Sequence, residues 1–324
     1  MTQLKDKIQS AMDESRTLVL GAEILIGFDF TAPFQEGFKR ISGLSRDLNI
    51  LGLALMLFTL VLLLAPAPFH QLAMSGQDTA ILHRFATHAV ELALGPFAVA
   101  LGIAMYPVAE EIGGRGAGWT IALSTLFLAF TFWYGPMFLK REQEKRGGKE
   151  NSMSGSEESS ETGKTSIHDK IRQVLTESRM IIPGNQALLG FQFAIVLQQG
   201  FRDLAPWLKW IHLWSLSFIT LSTIVLLTPA AYHRIVENGE ETERFYRVAN
   251  TLVLWSLPPL ALGICGDFFL VTYKMSGSLC ISLAAAALML ALFVGMWFGY
   301  TWFRRNHTDY VLSREAKPYK SETI

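Results

Sequence analysis

Six stretches of roughly 20 or more nearly uncharged residues constrain this chain more than any other feature. They cover residues 48–69, 86–108, 119–139, 211–231, 248–273 and 278–303. A bilayer core about 30 Å thick is crossed by about 20 apolar residues in helical form. None of the stretches alternates as a strand would. Backbone amides in lipid must be satisfied within the segment itself, so helices are expected. Only 17% of the 324 residues are charged and the mean hydropathy is +0.29, against roughly 25% charged in soluble domains. Lys+Arg and Asp+Glu both number 28. That balance points to neither an acidic nor a basic partner; the low charged fraction excludes a nucleic-acid binder. Two further stretches, 17–34 and 180–197, are apolar but carry Glu23 and Asp29 in the first and Asn185, Gln186 and Gln192 in the second.

The chain repeats itself at an offset of 163 residues without a gap. Asp6–Ile8 recurs at Asp169–Ile171, and Glu14 and Arg16 recur as Glu177 and Arg179. Gly21, Gly27 and Phe28 recur as Gly184, Gly190 and Phe191, and Gln35, Gly37 and Phe38 as Gln198, Gly200 and Phe201. His70 matches His233, and Arg84 matches Arg247. Register held over some 80 residues reads as a tandem duplication. Residues 1–140 are expected to form the first repeat and 167–305 the second. Between them, 141–166 is rich in Ser, Gly and Glu and reads as a disordered linker; 306–324 reads as a polar tail.

With four spans per repeat, 21 of the 28 Lys and Arg fall on the side of the N-terminus and 7 on the other, the asymmetry of a cytoplasmic N-terminus. An even number of spans makes the two repeats parallel. The expected fold is therefore an all-α integral membrane protein with eight transmembrane helices, built as two parallel four-helix repeats, both termini cytoplasmic. The N-terminal segment lacks the apolar region of a cleavable signal. Pro66, Pro68, Pro136 and Pro229 are expected to end helices, and Pro96, Pro258 and Pro259 to kink them.

These residues resemble a family of bacterial membrane proteins of unknown function, DUF6328. Its pattern runs Glu-x-Arg, then Gly-x-x-x-Leu-x-x-Phe, then a Pro-x-x-(Tyr/Phe)-His-Arg stretch and Arg-Val-Ala-Asn. The first half carries Glu14, Arg16, Gly21, Leu25, Phe28, Pro66 and Phe69-His70, and a degenerate Arg84-Phe85-Ala86-Thr87. The second carries Glu177, Arg179, Gly184, Leu188, Phe191, Pro229, Tyr232-His233-Arg234 and an intact Arg247–Asn250. The resemblance implies a bacterial inner-membrane protein made of two fused four-helix units, and it supplies no activity.

A carboxylate at bilayer depth is costly and marks function or a packing partner. Glu23, Asp29 and Asp267 are the candidate carriers of a proton or small cation. Arg16 and Glu23, seven apart, share a helix face, and Asp29 and Glu36 share another. Gln186 and Gln192 replace Glu23 and Asp29 in the second half and cannot carry protons, which assigns such chemistry to the first half. The alternative role for Glu23 is pairing with an Arg or Lys that fixes helix packing. Arg84, His88 and Glu91 form one stripe on the third helix, a candidate ion pair or pH sensor. His70 and His233 are expected to cap helix ends. Gly21, Gly27, Gly184 and Gly190 are read as close-packing positions. Phe132–Tyr134 and 297–302 are read as aromatic belts, and Cys265 and Cys280 as small buried hydrophobes. No phosphate loop, dinucleotide motif, nucleophile elbow or metal-ligand spacing is present. The expected partners are the lipid bilayer and a small cation or proton, with no nucleic acid, cofactor or metal. The chain is expected to act as a monomer or homodimer, in transport, or as a non-transporting structural or partner-binding protein, and not as an enzyme.

Overall fold

The computed structural model describes residues 2–74, 79–147, 167–235, 237 and 242–305. Among the described residues the regular structure is helical. Helix α1 spans Thr2–Thr31 and α2 spans Gly43–Leu64. The helical stretch Ala80–Gly147 is interrupted at Gly114, which divides it into α3 (80–113) and α4 (115–147). Then follow α5 (Ile167–Val196), α6 (Pro206–Ile235), α7 (Glu243–Ser276) and α8 (Leu279–Val294), the last extended through a π turn at Gly295–Gly299. The expected linker and tail lie mostly outside the described residues.

Among the described residues, six segments are long and apolar enough to cross a membrane: Arg16–Phe34, Gly43–Ala73, Ala80–Tyr134, Pro206–Ala230, Glu243–Ser276 and Leu279–Arg305. The third, at 55 residues, would extend about 82 Å as a straight rod, far beyond one bilayer core. It folds back instead. Tyr134 donates to the carbonyl of Glu91 at 2.7 Å, Trp133 stacks on Phe97, and Trp119 meets Tyr106 edge-on. These pairings converge on Gly114, so α3 and α4 form an antiparallel hairpin. Gly114 sits at φ +76°, ψ −177°, a conformation that essentially only glycine adopts. The apolar stretches 86–108 and 119–139 leave ten residues between them, and one of these, Gly114, makes the turn. Gly114→Val is expected to cost about 1–3 kcal/mol, read as a lowered unfolding midpoint in mixed micelles.

Caps set the other helix starts. Ser42 accepts from the Ser45 amide ahead of α2, and Thr242 accepts from the Phe245 amide ahead of α7, each satisfying an amide the helix leaves unpaired. Gly277, at φ +65°, ends α7 in the left-handed conformation.

Two prolines act differently from expectation: Pro136 and Pro229, expected to end helices, lie inside α4 and α6. Pro258 and Pro259 lie inside α7, and Pro96 lies inside α3. After α2 the chain stays helical through Pro66–Pro68 and a π turn at Phe69–Ala73. Pro66 has no N–H to give the Leu62 carbonyl. The Ala65 amide bonds there instead, at 3.3 Å. Val61 O is thereby released, and the Trp297 indole donates to it at 3.0 Å. Trp297 is fully buried; it clamps α8 onto α2 rather than joining an interfacial belt. Tyr300, one turn on, stacks on Phe69 and Phe85. Cys265 is buried and Cys280 exposed, so only the first behaves as a core hydrophobe.

Helices α1 and α5 pack side by side and run in the same direction. Glu23 faces Gly184, Gly27 faces Phe191, and Phe34 faces Gly200. Of the four glycines read as close-packing positions, Gly27 and Gly184 lie in this contact, while Gly21 and Gly190 meet nothing within 4 Å. The outward surface is apolar, with Phe127, Phe132, Trp255 and Leu288 exposed, whereas Glu23, His70, Glu177, Gln192, His212 and Asp267 are buried. Apolar side chains outside and polar ones inside suit a chain surrounded by hydrocarbon.

Candidate functional site

The buried polar groups line up along α5. In its first half Glu177 is fully buried and meets two neighbours in the π turn that follows α2. Its Oε1 lies 2.6 Å from His70 Nδ1, and the Gln71 amide donates to Oε2. The pair joins the two halves of the chain. His70 was expected to serve only its own helix end; its repeat counterpart His233 lies outside the described side chains.

Seven residues further along α5, Gly184 leaves room for Glu23 of α1. A Cβ on Gly184 would overlap the Glu23 carboxylate. Glu23 is fully buried, and neither carboxylate oxygen has a hydrogen-bond partner among the described residues. The Arg or Lys partner considered for it is not there; Arg16, on the same face of α1, is exposed. The preceding residue, Pro183, lies inside α5 and lacks an N–H to continue the helical bonding. The matching position in the second half, Gln186, is exposed. The acid is turned into the contact and the amide out of it.

Eight residues beyond Gly184, the Gln192 amide donates to Asp267 Oδ2 of α7. His212 of α6 completes the cluster. Its Nδ1 lies 3.3 Å from Asp267 Oδ1, and its Nε2 lies 3.2 Å from the Gln192 carbonyl. All three are nearly inaccessible. Between these levels, Asn185 donates to Ser222, which donates to the Ser256 carbonyl, tying α5, α6 and α7 together. From Glu177 to Gln192 is 15 positions, about 22 Å along a helix. Glu177, Gly184 and Gln192 lie within about 80° of one another around α5 at 100° per residue.

The other predicted residues stand apart. Asp29 is half-buried and makes no hydrogen bond or ion pair among the described residues. Offset by 163, Asp29, Asn49 and Ala104 occupy the positions of Gln192, His212 and Asp267. Each half thus keeps one acid in this set of positions, on α1 in the first and α7 in the second. The expected shared face of Asp29 and Glu36 does not form, because α1 ends at Thr31 and Glu36 begins a 3-10 turn. Arg84 and His88 are exposed, and His88 Nδ1 meets Glu91 Oε2 at 3.1 Å on an open surface. Reading the sequence missed Glu177 and His212. The signal for Glu177 was present: the Glu-x-Arg and Pro-x-x-(Tyr/Phe)-His stretches recur together in both halves. No comparable pattern marked His212, whose counterpart is Asn49.

No curated protein and no solved structure matches the chain. A family described as a family of unknown function (DUF6328) matches twice, over residues 2–136 and 160–301, consistent with a tandem duplication. Those two segments take in every buried carboxylate described above, and the chain belongs to the DUF6328 family.

Proposed function

We infer that this protein is a non-enzymatic, proton-handling membrane protein of eight spans. It is read as two parallel four-helix repeats, with both termini on the cytoplasmic side. Six segments qualify as spans by length and composition. The fold-back at Gly114 divides one of these into two, and α5, which packs beside α1, makes the eighth. The parallel run of α1 and α5 supports repeats related by an axis along the membrane normal. The distribution of Lys and Arg supports the orientation.

Glu23 carries the functional reading. A carboxylate at bilayer depth without a protein partner is costly, and a proton or a small cation relieves that cost. Its neighbours along α5, His70/Glu177 on one side and His212/Asp267 on the other, are imidazole–carboxylate pairs of the kind that pass protons. In liposomes holding a pH-sensitive dye, an imposed membrane potential is expected to drive proton uptake. Glu23→Gln, which keeps volume and removes the titrating group, is expected to reduce uptake at least tenfold without loss of fold. Asp267→Asn is expected to reduce it as well.

A second reading, a structural membrane protein, is favoured by a specific observation. Asp267 and Glu177 are each matched by a histidine and a glutamine, as packing alone would require. Undiminished uptake in Glu23→Gln, or none in the wild type, decides for that reading.

A further inference from the structure

At the end of the molecule away from His70, both halves contribute to a polar cavity. Its volume is about 210 Å³, and it is lined by Pro33, Phe38, Lys39, Arg46, Lys274 and Met275. Lys39 and Arg46 flank the start of α2, and Lys274 lies in the last turn of α7. Three cations therefore converge on one small space. Among the described residues Lys39 pairs with one acid, the exposed Asp203, at 3.8 Å from Lys39 Nζ.

Two of the three cations are held in place by backbone. Arg46 donates from Nη2 to the Lys39 carbonyl at 2.9 Å, and Lys274 donates to the Gly200 carbonyl at 3.1 Å. Neither bond neutralises charge. Arg46 Nε is buried and has no hydrogen-bond partner among the described residues. An anion in the cavity would offset the positive charge that Lys39, Arg46 and Lys274 bring to it. With the eight proposed spans, this end of the chain holds 7 of its 28 basic residues, and three of them meet here.

We propose that this cavity is a binding site for a phosphate-class anion. The group is either the phosphate of an anionic lipid at the headgroup level or free inorganic phosphate. The volume suits one phosphate with a few waters and is too small for a nucleotide. Arg46 supplies the directional fork and the two lysines supply point charge. Phe38, Pro33 and Met275 give the space an apolar wall, as a site beside acyl chains requires.

The test uses the full chain. Inorganic phosphate is titrated by calorimetry at constant ionic strength against chloride. Separately, retained lipids are counted by native mass spectrometry after release from nanodiscs of phosphatidylglycerol or phosphatidylcholine. Saturable phosphate binding, or selective retention of phosphatidylglycerol, supports the site and tells its two sources apart. Arg46→Gln and Lys39→Gln are each expected to weaken whichever is seen at least tenfold. Arg202→Gln, an exposed cation at the same end but outside the cavity, is expected to leave it unchanged. Absence of both signals overturns the proposal, as does an equal loss in Arg202→Gln, which would show diffuse charge rather than a site.

Discussion

Replacing His70 with leucine is expected to destabilise the protein by about 3–5 kcal/mol, the usual result of removing one partner from a buried pair. Glu177 is fully buried, and its 2.6 Å contact with His70 would be lost, leaving the Gln71 amide as its hydrogen-bond partner among the described residues. Because α2 and α5 belong to different halves, the loss falls on the contact between them. The double replacement His70→Leu/Glu177→Met is expected to recover most of the stability, since apolar groups of similar volume replace buried ion pairs at little net cost. Reversible unfolding in mixed micelles measures both variants. A single replacement no worse than about 1 kcal/mol would mean that the pair is not what holds these helices together.

Gly200→Leu is expected to cost about 3 kcal/mol or more, at the upper end of overpacking effects. A Cβ there would lie 2.6 Å from the Phe34 carbonyl oxygen and 2.8 Å from Phe34 Cα. Both are backbone atoms, so no side chain can swing aside. The Gly200 carbonyl also accepts from Lys274, and displacement would break that bond. Gly37, the same position in the first half, meets nothing within 4 Å. Gly37→Leu is expected to change stability by no more than about 0.5 kcal/mol. The same unfolding assay applied to both variants tests the contrast. Equal effects would refute the asymmetric contact between the halves.

That contrast shows where sequence reading stopped. Helix positions were legible because bilayer thickness forces long apolar runs. The ends were less so: the turn at Gly114 depends on one residue's dihedral angles, and several neighbouring glycines offered the same freedom. Glu23, Asp29 and Asp267 were visible as anomalies in apolar stretches. The buried pairs were not, because His70 and Glu177 are 107 positions apart and the His212–Asp267 pair spans two helices. A histidine in an apolar segment looks the same whether or not a carboxylate faces it. Trp297 was misread for the same reason, since its role rests on a carbonyl that Pro66 releases in another helix.

The amino-acid sequence alone determined that the chain is helical, membrane-like and internally repeated, because hydrophobic length and a constant offset are properties of one dimension. Only the tertiary structure decided which member of each repeated pair does what. Gly184 receives Glu23 while Gly21 stays open, and Gly200 meets backbone while Gly37 does not. Two copies of one sequence pattern packed against each other need not remain equivalent: a side chain turned into the shared contact on one side occupies the space its counterpart would need.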